Sequence, residues 1–248
     1  MSAGAPSARP ALRVVDDAPA LAAAGAALLA EEVRAAARAR GRATLALSGG
    51  RVEALLARLA RERLPWDALD VFQVDERVAP DGSPARNWTA LAAALGPRVA
   101  KDALHAMPVE AADLDSACAR YARRLEDAAG RPPALDVVHL GLGEDGHTAS
   151  LFPGDAVLDV RDADVAPTAT AHGGLRRLTL TLPALGRARC AVWVVGGAEK
   201  APALARLLAG DASAPAARVA AARRVVLADR AAAADAWPHA REAPAHPS

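Results

Sequence analysis

Asp136-Val137-Val138-His139-Leu140-Gly141-Leu142-Gly143-Glu144-Asp145-Gly146-His147 is the stretch that decides the fold. Its first part, Asp136–Gly141, is short and almost wholly apolar, as a strand covered on both faces must be. Gly141, Gly143 and Gly146 then permit tight turns where the strand ends. The chain continues Thr148-Ala149-Ser150-Leu151-Phe152-Pro153-Gly154, which puts Asp145 and His147 near a helix start. A strand running into a glycine turn and a helix is the unit of a parallel sheet.

The same unit recurs on both sides. Further strands are predicted at Thr44–Leu47, Asp70–Val74, Leu178–Leu182, Ala191–Val195 and Val225–Ala228. Helices are predicted at 19–39, 51–63, 88–95, 113–129, 198–209 and 230–236. The alternation implies an α/β fold: a Rossmann-like three-layer sandwich with a mostly parallel sheet covered by helices on both faces. No internal repeat or linker interrupts it, so a single domain is expected over 11–237. The Pro-, Ala- and Ser-rich ends, 1–10 and 238–248, are expected to be mobile tails.

Composition narrows the function classes. The chain has 248 residues, 52% hydrophobic and 24% charged, with a formal net charge of +1. That is enough apolar residue for a large core, and it gives no electrostatic case for nucleic acid or an acidic membrane as partner. Arg9 and Arg13 before the Ala/Leu run 18–30 look superficially like a signal peptide. Asp16 and Asp17 intervene, and the run continues into Glu31-Glu32-Val33-Arg34 at helical period, which fits an amphipathic first helix better. No apolar run reaches the roughly 18–20 residues of a membrane span. The two cysteines, Cys118 and Cys190, form no CxxC; Cys118 shares an apolar helical stripe with Leu114, Tyr121 and Leu125 and is expected in the core. A reducing cytoplasm is the simplest setting. Lysine occurs only at Lys101 and Lys200, so where arginine is the default cation a retained lysine points to a specific task.

In a doubly wound sheet, ligands bind beyond the carboxyl ends of the strands. Four strand ends carry polar groups. Ser48-Gly49-Gly50 offers free N–H groups to an anion at a helix start, though the tripeptide alone also fits a ligand-free turn. Asp75-Glu76-Arg77, followed by Asn87-Trp88, sets two acids beside a cation that could grip a carboxylate, phosphate or oxyanion; a surface ion cluster is the plainer reading. Asp145 and His147 form the third set, and a histidine beside carboxylates suits a general base. Gly196-Gly197-Ala198-Glu199-Lys200 is the fourth, with a compact ammonium suited to phosphate. Arg176 and Arg177 begin a strand, a position that alone says little. His139 is expected in the core, His105 and His172 in loops, and His239 and His246 in the C-terminal tail. No pair has ligand spacing, so no metal is expected.

Ser48-Gly49-Gly50, Asp75-Glu76-Arg77, Asn87, Gly141–Gly154, Arg177-Leu178-Thr179-Leu180-Thr181 and Gly197-Ala198-Glu199-Lys200 together resemble the 6-phosphogluconolactonases. These share a superfamily with glucosamine-6-phosphate deaminases and ribose-5-phosphate isomerases. The match in order and spacing runs over about residues 12–236, and Gly143–Gly154 is its most specific part. The resemblance implies hydrolysis of 6-phospho-D-glucono-1,5-lactone without a cofactor. The deaminases typically continue Asp-Gly-His with Ile-Ala-Phe-Asn-Glu, whose glutamate assists ring opening; Phe152 stands at that place here. They also carry Asp-Glu-Tyr where this chain has Asp75-Glu76-Arg77. This chain departs from the lactonases too: Arg51-Val52-Glu53 replaces Ser or Thr, Thr and Pro, and Arg86-Asn87 replaces Ser-Asn.

The resulting expectation has His147 as base, oriented by Asp145 or Asp75, with Arg77 on the developing oxyanion. Ser48, Gly49, Gly50, Lys200 and Arg177 hold the phosphate, and Arg51, Glu76, Asn87, Gly143 and Gly146 complete the substrate contacts. The partner is a small phosphorylated sugar lactone, and the chain acts as a monomer or small homo-oligomer. Two alternatives are an amino-sugar phosphate deaminase and a non-catalytic sugar-phosphate sensor. The absence of a basic helix-turn-helix-sized extension before residue 12 argues against the sensor.

Overall fold

The structure, a computed structural model, describes residues 9–50 and 52–235. The expected tails therefore lie outside it, apart from residues 9 and 10. In chain order its elements are β1 (Ala11–Val15), α1 (Ala18–Arg40), β2 (Ala43–Leu47), α2 (Glu53–Leu59), β3 (Leu69–Gln73), β4 (Asp75–Arg77) and α3 (Asn87–Leu95). There follow β5 (Leu104–His105), α4 (Leu114–Ala129), β6 (Val137–Leu140), β7 (Val165–Pro167), β8 (Arg177–Leu180) and α5 (Leu182–Gly186). The chain closes with β9 (Cys190–Val195), α6 (Ala201–Ala209) and β10 (Arg223–Asp229).

Among the described residues, seven strands form one sheet in the order β1-β10-β9-β6-β2-β3-β5. Every pairing in it is parallel. From β2 the chain winds outward through β3 and β5; from β6 it winds the other way through β9 and β10. The order reverses between β2 and β6, and there the strand ends open a crevice. The two central strands are pinned at their other end, where Thr44 N–H donates to Asp136 Oδ2 at 2.8 Å.

β2 and β6 are buried throughout, which is why they read as continuous apolar runs. The pleat sends Ala46, Val138 and Leu140 to one face, where Tyr121 and Leu125 of α4 cover them. It sends Leu45, Leu47 and Val137 to the other, under Leu29 and Val33 of α1 and Leu55 and Leu59 of α2. Each such leucine contributes about 1.5–3 kcal/mol by leaving water. Cys118 lies in the first of these clusters, as its helical stripe predicts. Asp17, one of the acids interrupting the N-terminal run, caps α1 by accepting from Ala20 N–H at 2.8 Å.

A second, antiparallel sheet of order β4-β8-β7 stands beyond the carboxyl end of β3. The predicted strand Leu178–Leu182 belongs here: it begins earlier, at Arg177, and ends at Leu180. Thr181 then caps the short α5. The predicted helix at 230–236 is absent over 230–235, which form turns instead. Asp229 causes this, since its Oδ1 accepts from Ala232 N–H at 2.7 Å and closes a turn just after β10. α2 is shorter than its predicted 51–63, beginning at Glu53 and ending at Leu59.

Candidate active site

The strand ends around the reversal point enclose a cavity of about 550 Å³. Ser48, Gly49, Gly50, Asp75, Arg77, Asn87, Gly143, His147, Arg177 and Lys200 all border it. These come from every strand end singled out in the sequence.

The loop after β6 is built by its glycines. Gly143 N–H donates to His147 O at 2.8 Å, and Gly146 N–H to Gly143 O at 2.9 Å. Gly146 has φ +88°, which a residue with a Cβ rarely adopts. The turn folds His147 back onto Asp145: Asp145 Oδ1 accepts from His147 N–H at 3.0 Å and lies 2.6 Å from Nδ1. A Cβ at Gly143 would stand 2.0 Å from His147 Nδ1, so only glycine fits beside the ring. Gly146, an expected substrate contact, does not border the cavity. Its α-carbon faces Ala214, whose Cβ a side chain there would meet at 2.8 Å. Its part is to shape the loop.

Of the two carboxylates left open by the sequence, Asp145 bonds the imidazole. Burial alone would raise its pKa, but the hydrogen bonds and charge of His147 outweigh burial and hold it below the ordinary carboxylate value. Asp75 is turned to other partners: Ser150 Oγ–H donates to its Oδ2 at 2.6 Å, and Asn87 Nδ2 to its Oδ1 at 3.4 Å. Burial pushes the Asp75 carboxyl up, against the pull of the Ser150 hydrogen bond and of Arg77 and Arg177.

Glu76, an expected substrate contact, is turned away from the cavity. It is fully buried and absent from the cavity wall. Its carboxylate accepts from Asn87 N–H and Trp88 N–H, both at 2.8 Å, and lies 3.2 Å from Arg86 Nε. It thus caps α3 from outside, since the residue before that helix supplies no side-chain cap. Arg86, the departure from the lactonase Ser-Asn pattern, is the buried counter-charge of this carboxylate. Asn87 Nδ2 donates to Asp75 O at 2.9 Å, and its amide presses on Gly49, where a Cβ would overlap Oδ1 at 1.8 Å. Arg51 lies outside the described residues.

Among the described residues, three cations border the cavity. Arg77 and Arg177 are cross-strand neighbours on β4 and β8. Arg77 Nη1 donates to Ala85 O at 2.7 Å, and Arg177 Nη2 to His172 O at 3.2 Å. Burial and the nearby charge of Arg77 both lower the pKa of Arg177. Lys200 sits on a 3-10 turn after Gly197, 3.6 Å from Glu144 Oε1. Two guanidiniums set against each other and an ammonium on one cavity make a site that favours an anion between them.

The sequence reading missed several groups. His139 was expected in the core; it is buried, but it also borders the cavity. Burial pushes its pKa down to about 4, and its Nδ1 has no hydrogen-bond partner among the described residues. Its place just before the end of β6 was the available signal. Ser150, bonded to Asp75, sits three residues beyond the decisive stretch. Phe152 packs on the His147 ring with centroids 4.3 Å apart, and on His172 at 3.7 Å.

The family model described as glucosamine-6-phosphate isomerases/6-phosphogluconolactonase matches residues 16–227. A 6-phosphogluconolactonase of Nostoc sp. is 38% identical over 81% of this chain and 86% of its own length. One from Streptomyces coelicolor is 37% identical over 84% of this chain and 87% of its own. The crystal structure of the Thermotoga maritima 6-phosphogluconolactonase shares the fold, with a TM-score of 0.81 at 23% identity over 89% of this chain and 100% of that one. A family model spanning most of the chain, with relatives aligned over four fifths of it, places this protein in the glucosamine-6-phosphate isomerase/6-phosphogluconolactonase family.

Proposed function

We propose that this chain hydrolyses 6-phospho-D-glucono-1,5-lactone to 6-phospho-D-gluconate, the second step of the oxidative pentose phosphate pathway, with His147 as general base. The observation that carries the reading is the Asp145–His147 hydrogen bond of 2.6 Å on a cavity bordered by Arg77, Arg177 and Lys200. A carboxylate can only accept, so His147 Nδ1 carries the proton and Nε2 keeps its lone pair. Nε2 takes a proton from water as the water oxygen attacks the lactone carbonyl, and Asp145 stabilises the imidazolium so formed. Arg77 balances the oxyanion of the tetrahedral intermediate. The intermediate then collapses: the carbonyl–ring-oxygen bond breaks, and the ring oxygen takes the proton back from Nε2 as it becomes the 5-hydroxyl. Ser48, Gly49 and Gly50 at the end of β2, with Arg177 and Lys200, hold the phosphate. The lactone opens unaided in water, so positioning plus one base suffices.

Phe152 favours the lactonase over the deaminase reading. Where the resemblance implies a ring-opening glutamate, an apolar ring lies against His147. The setting is the cytoplasm, where both buried, free cysteines stay reduced.

The test couples product to 6-phosphogluconate dehydrogenase and subtracts the spontaneous rate. Wild-type enzyme accelerates hydrolysis, and His147→Ala falls to near the spontaneous rate. Ammonia release from glucosamine 6-phosphate without lactone hydrolysis would replace the reading by the deaminase one.

A further inference from the structure

Phe152 touches more of the proposed machinery than a space-filling ring requires. Its centroid is 4.3 Å from that of His147 at an interplanar angle of 38°. It stacks on His172 at 3.7 Å and 11°, and the Arg177 guanidinium carbon lies 5.1 Å from it. His172 is itself fixed. Its Nε2 lies 2.9 Å from Asp155 Oδ2 and 3.1 Å from Thr170 Oγ1. Its backbone oxygen accepts from Arg177 Nη2 at 3.2 Å.

Asp155 is a firm anchor. It is buried and accepts from Val157 N–H at 2.9 Å and Ala169 N–H at 3.0 Å. Burial alone would raise its pKa; these bonds and the one to His172 prevail and hold it well below the carboxylate range. The loop between β7 and β8 delivers His172 to this anchor. Gly173 and Gly174, at φ +62° and +79°, close a tight turn in which His172 N–H donates to Leu175 O at 2.9 Å.

An imidazole held by one hydrogen bond can still tilt about that bond. Asp145 is half exposed and leaves that freedom open. A ring face pressed on the imidazole removes it, provided the pressing ring is itself immobile. We propose that His172, anchored by Asp155, is a positioning residue for the reaction: by stacking on Phe152 it fixes the plane of the His147 ring, and through its carbonyl it aims Arg177 at the same cavity. The inference rests on the lactonase reading. His172 lies outside both core clusters, and without it Asp155 still accepts from Val157 N–H, Ala169 N–H and Thr170, so its loss leaves the fold standing.

The experiment compares steady-state lactone hydrolysis by wild type, His172→Ala, His172→Phe, Phe152→Leu and the Phe152→Leu/His172→Ala double variant. Thermal melting of each variant defines its folded fraction. His172→Ala is expected to lose roughly tenfold in kcat per folded enzyme, since misplacing a base costs rate steeply. Its KM should stay within about twofold, because the carbonyl that holds Arg177 is backbone. His172→Phe keeps the aromatic face but loses the bond to Asp155, so it should recover part of kcat and not all of it. The double variant should be no slower than the slower single, as expected of two residues acting as one unit. Wild-type kcat in His172→Ala, equal loss in His172→Phe, multiplying losses in the double variant, or a loss explained wholly by folded fraction would each overturn the positioning role. An inactive wild type would instead remove the lactonase reading and the proposal with it.

Discussion

Arg77 and Arg177 stand directly opposite each other in the β4–β8 pair, and both side chains border the cavity. Like charges facing each other across two strands destabilise a sheet, so the arrangement calls for a compensating anion. Asp75 supplies part of it from the same strand, but its buried carboxyl is pushed toward the neutral form. In the proposed complex the substrate phosphate supplies the rest. Arg177→Ala should therefore raise KM by about tenfold or more, the worth of a charge-assisted hydrogen bond, with a smaller effect on kcat. Arg177→Lys should recover only part, because an ammonium lacks the fork. Steady-state kinetics decides: an unchanged KM with a collapsed kcat would move Arg177 from the phosphate to the oxyanion.

Gly143 offers a sharper probe of the base. A Cβ there would lie 2.0 Å from His147 Nδ1 and 2.6 Å from Asp145 Oδ1, between the two partners of the hydrogen bond. Gly143→Ala should force them apart without touching the core, since the atoms nearest the new Cβ all belong to this pair. The expected result is a kcat loss of about a hundredfold with an unchanged far-ultraviolet spectrum and melting curve. Full activity in this variant would show that the bond to Asp145 does not matter for turnover.

Asp75 and Glu76 illustrate what the sequence carried and what it hid. The strand ends were legible because β2, β6 and β9 are buried on both faces and so nearly all apolar. The loop Gly141–His147 was legible because its hydrogen bonds are local. Asp75 and Glu76, by contrast, are adjacent acids with one apparent role. The pleat of β4 sends Asp75 to the cavity and Glu76 to the start of α3. Nothing local distinguishes them, since β4 is three residues long and its partner β8 lies about a hundred residues on. Phe152 and His172 are likewise twenty positions apart in sequence and meet only because the β7–β8 loop folds over the site.

Glu76 should consequently behave as a structural residue. Its buried carboxylate compensates Arg86 and two N–H groups at the start of α3. Glu76→Ala leaves that guanidinium buried with only its bond to Ala79 O and no counter-charge, a change that costs about 3–5 kcal/mol in comparable pairs. Urea unfolding should register the loss as a lower midpoint with an unchanged slope. Folded Glu76→Ala enzyme at low temperature should keep a near wild-type KM, whereas a KM rise without loss of stability would return Glu76 to the substrate.

His139 sets a pH dependence that has nothing to do with the base. Burial lowers its pKa from 6.5 to about 4, so the folded protein holds the neutral ring where the unfolded chain is already protonated. The sign follows: above pH 6.5 neither state is charged and the group is neutral to stability; as pH falls toward 4 the unfolded chain gains a proton the fold refuses, and stability drops. The full effect is on the order of 3 kcal/mol. Asp145 and Asp155, both held low, lose their contribution mainly below their ordinary value of 3.8, and Asp75, held high by burial, adds a change of opposite sign above it; wild type and a His139 variant share all three. Replacing His139 with leucine, which suits a wall shared with Leu21, Leu55 and Val194, should remove its share of that fall, so that unfolding free energy declines less in the variant than in wild type between pH 6.5 and 4. Parallel curves for the variant and wild type across that window would mean that His139 takes up its proton in the folded state as readily as in the unfolded one.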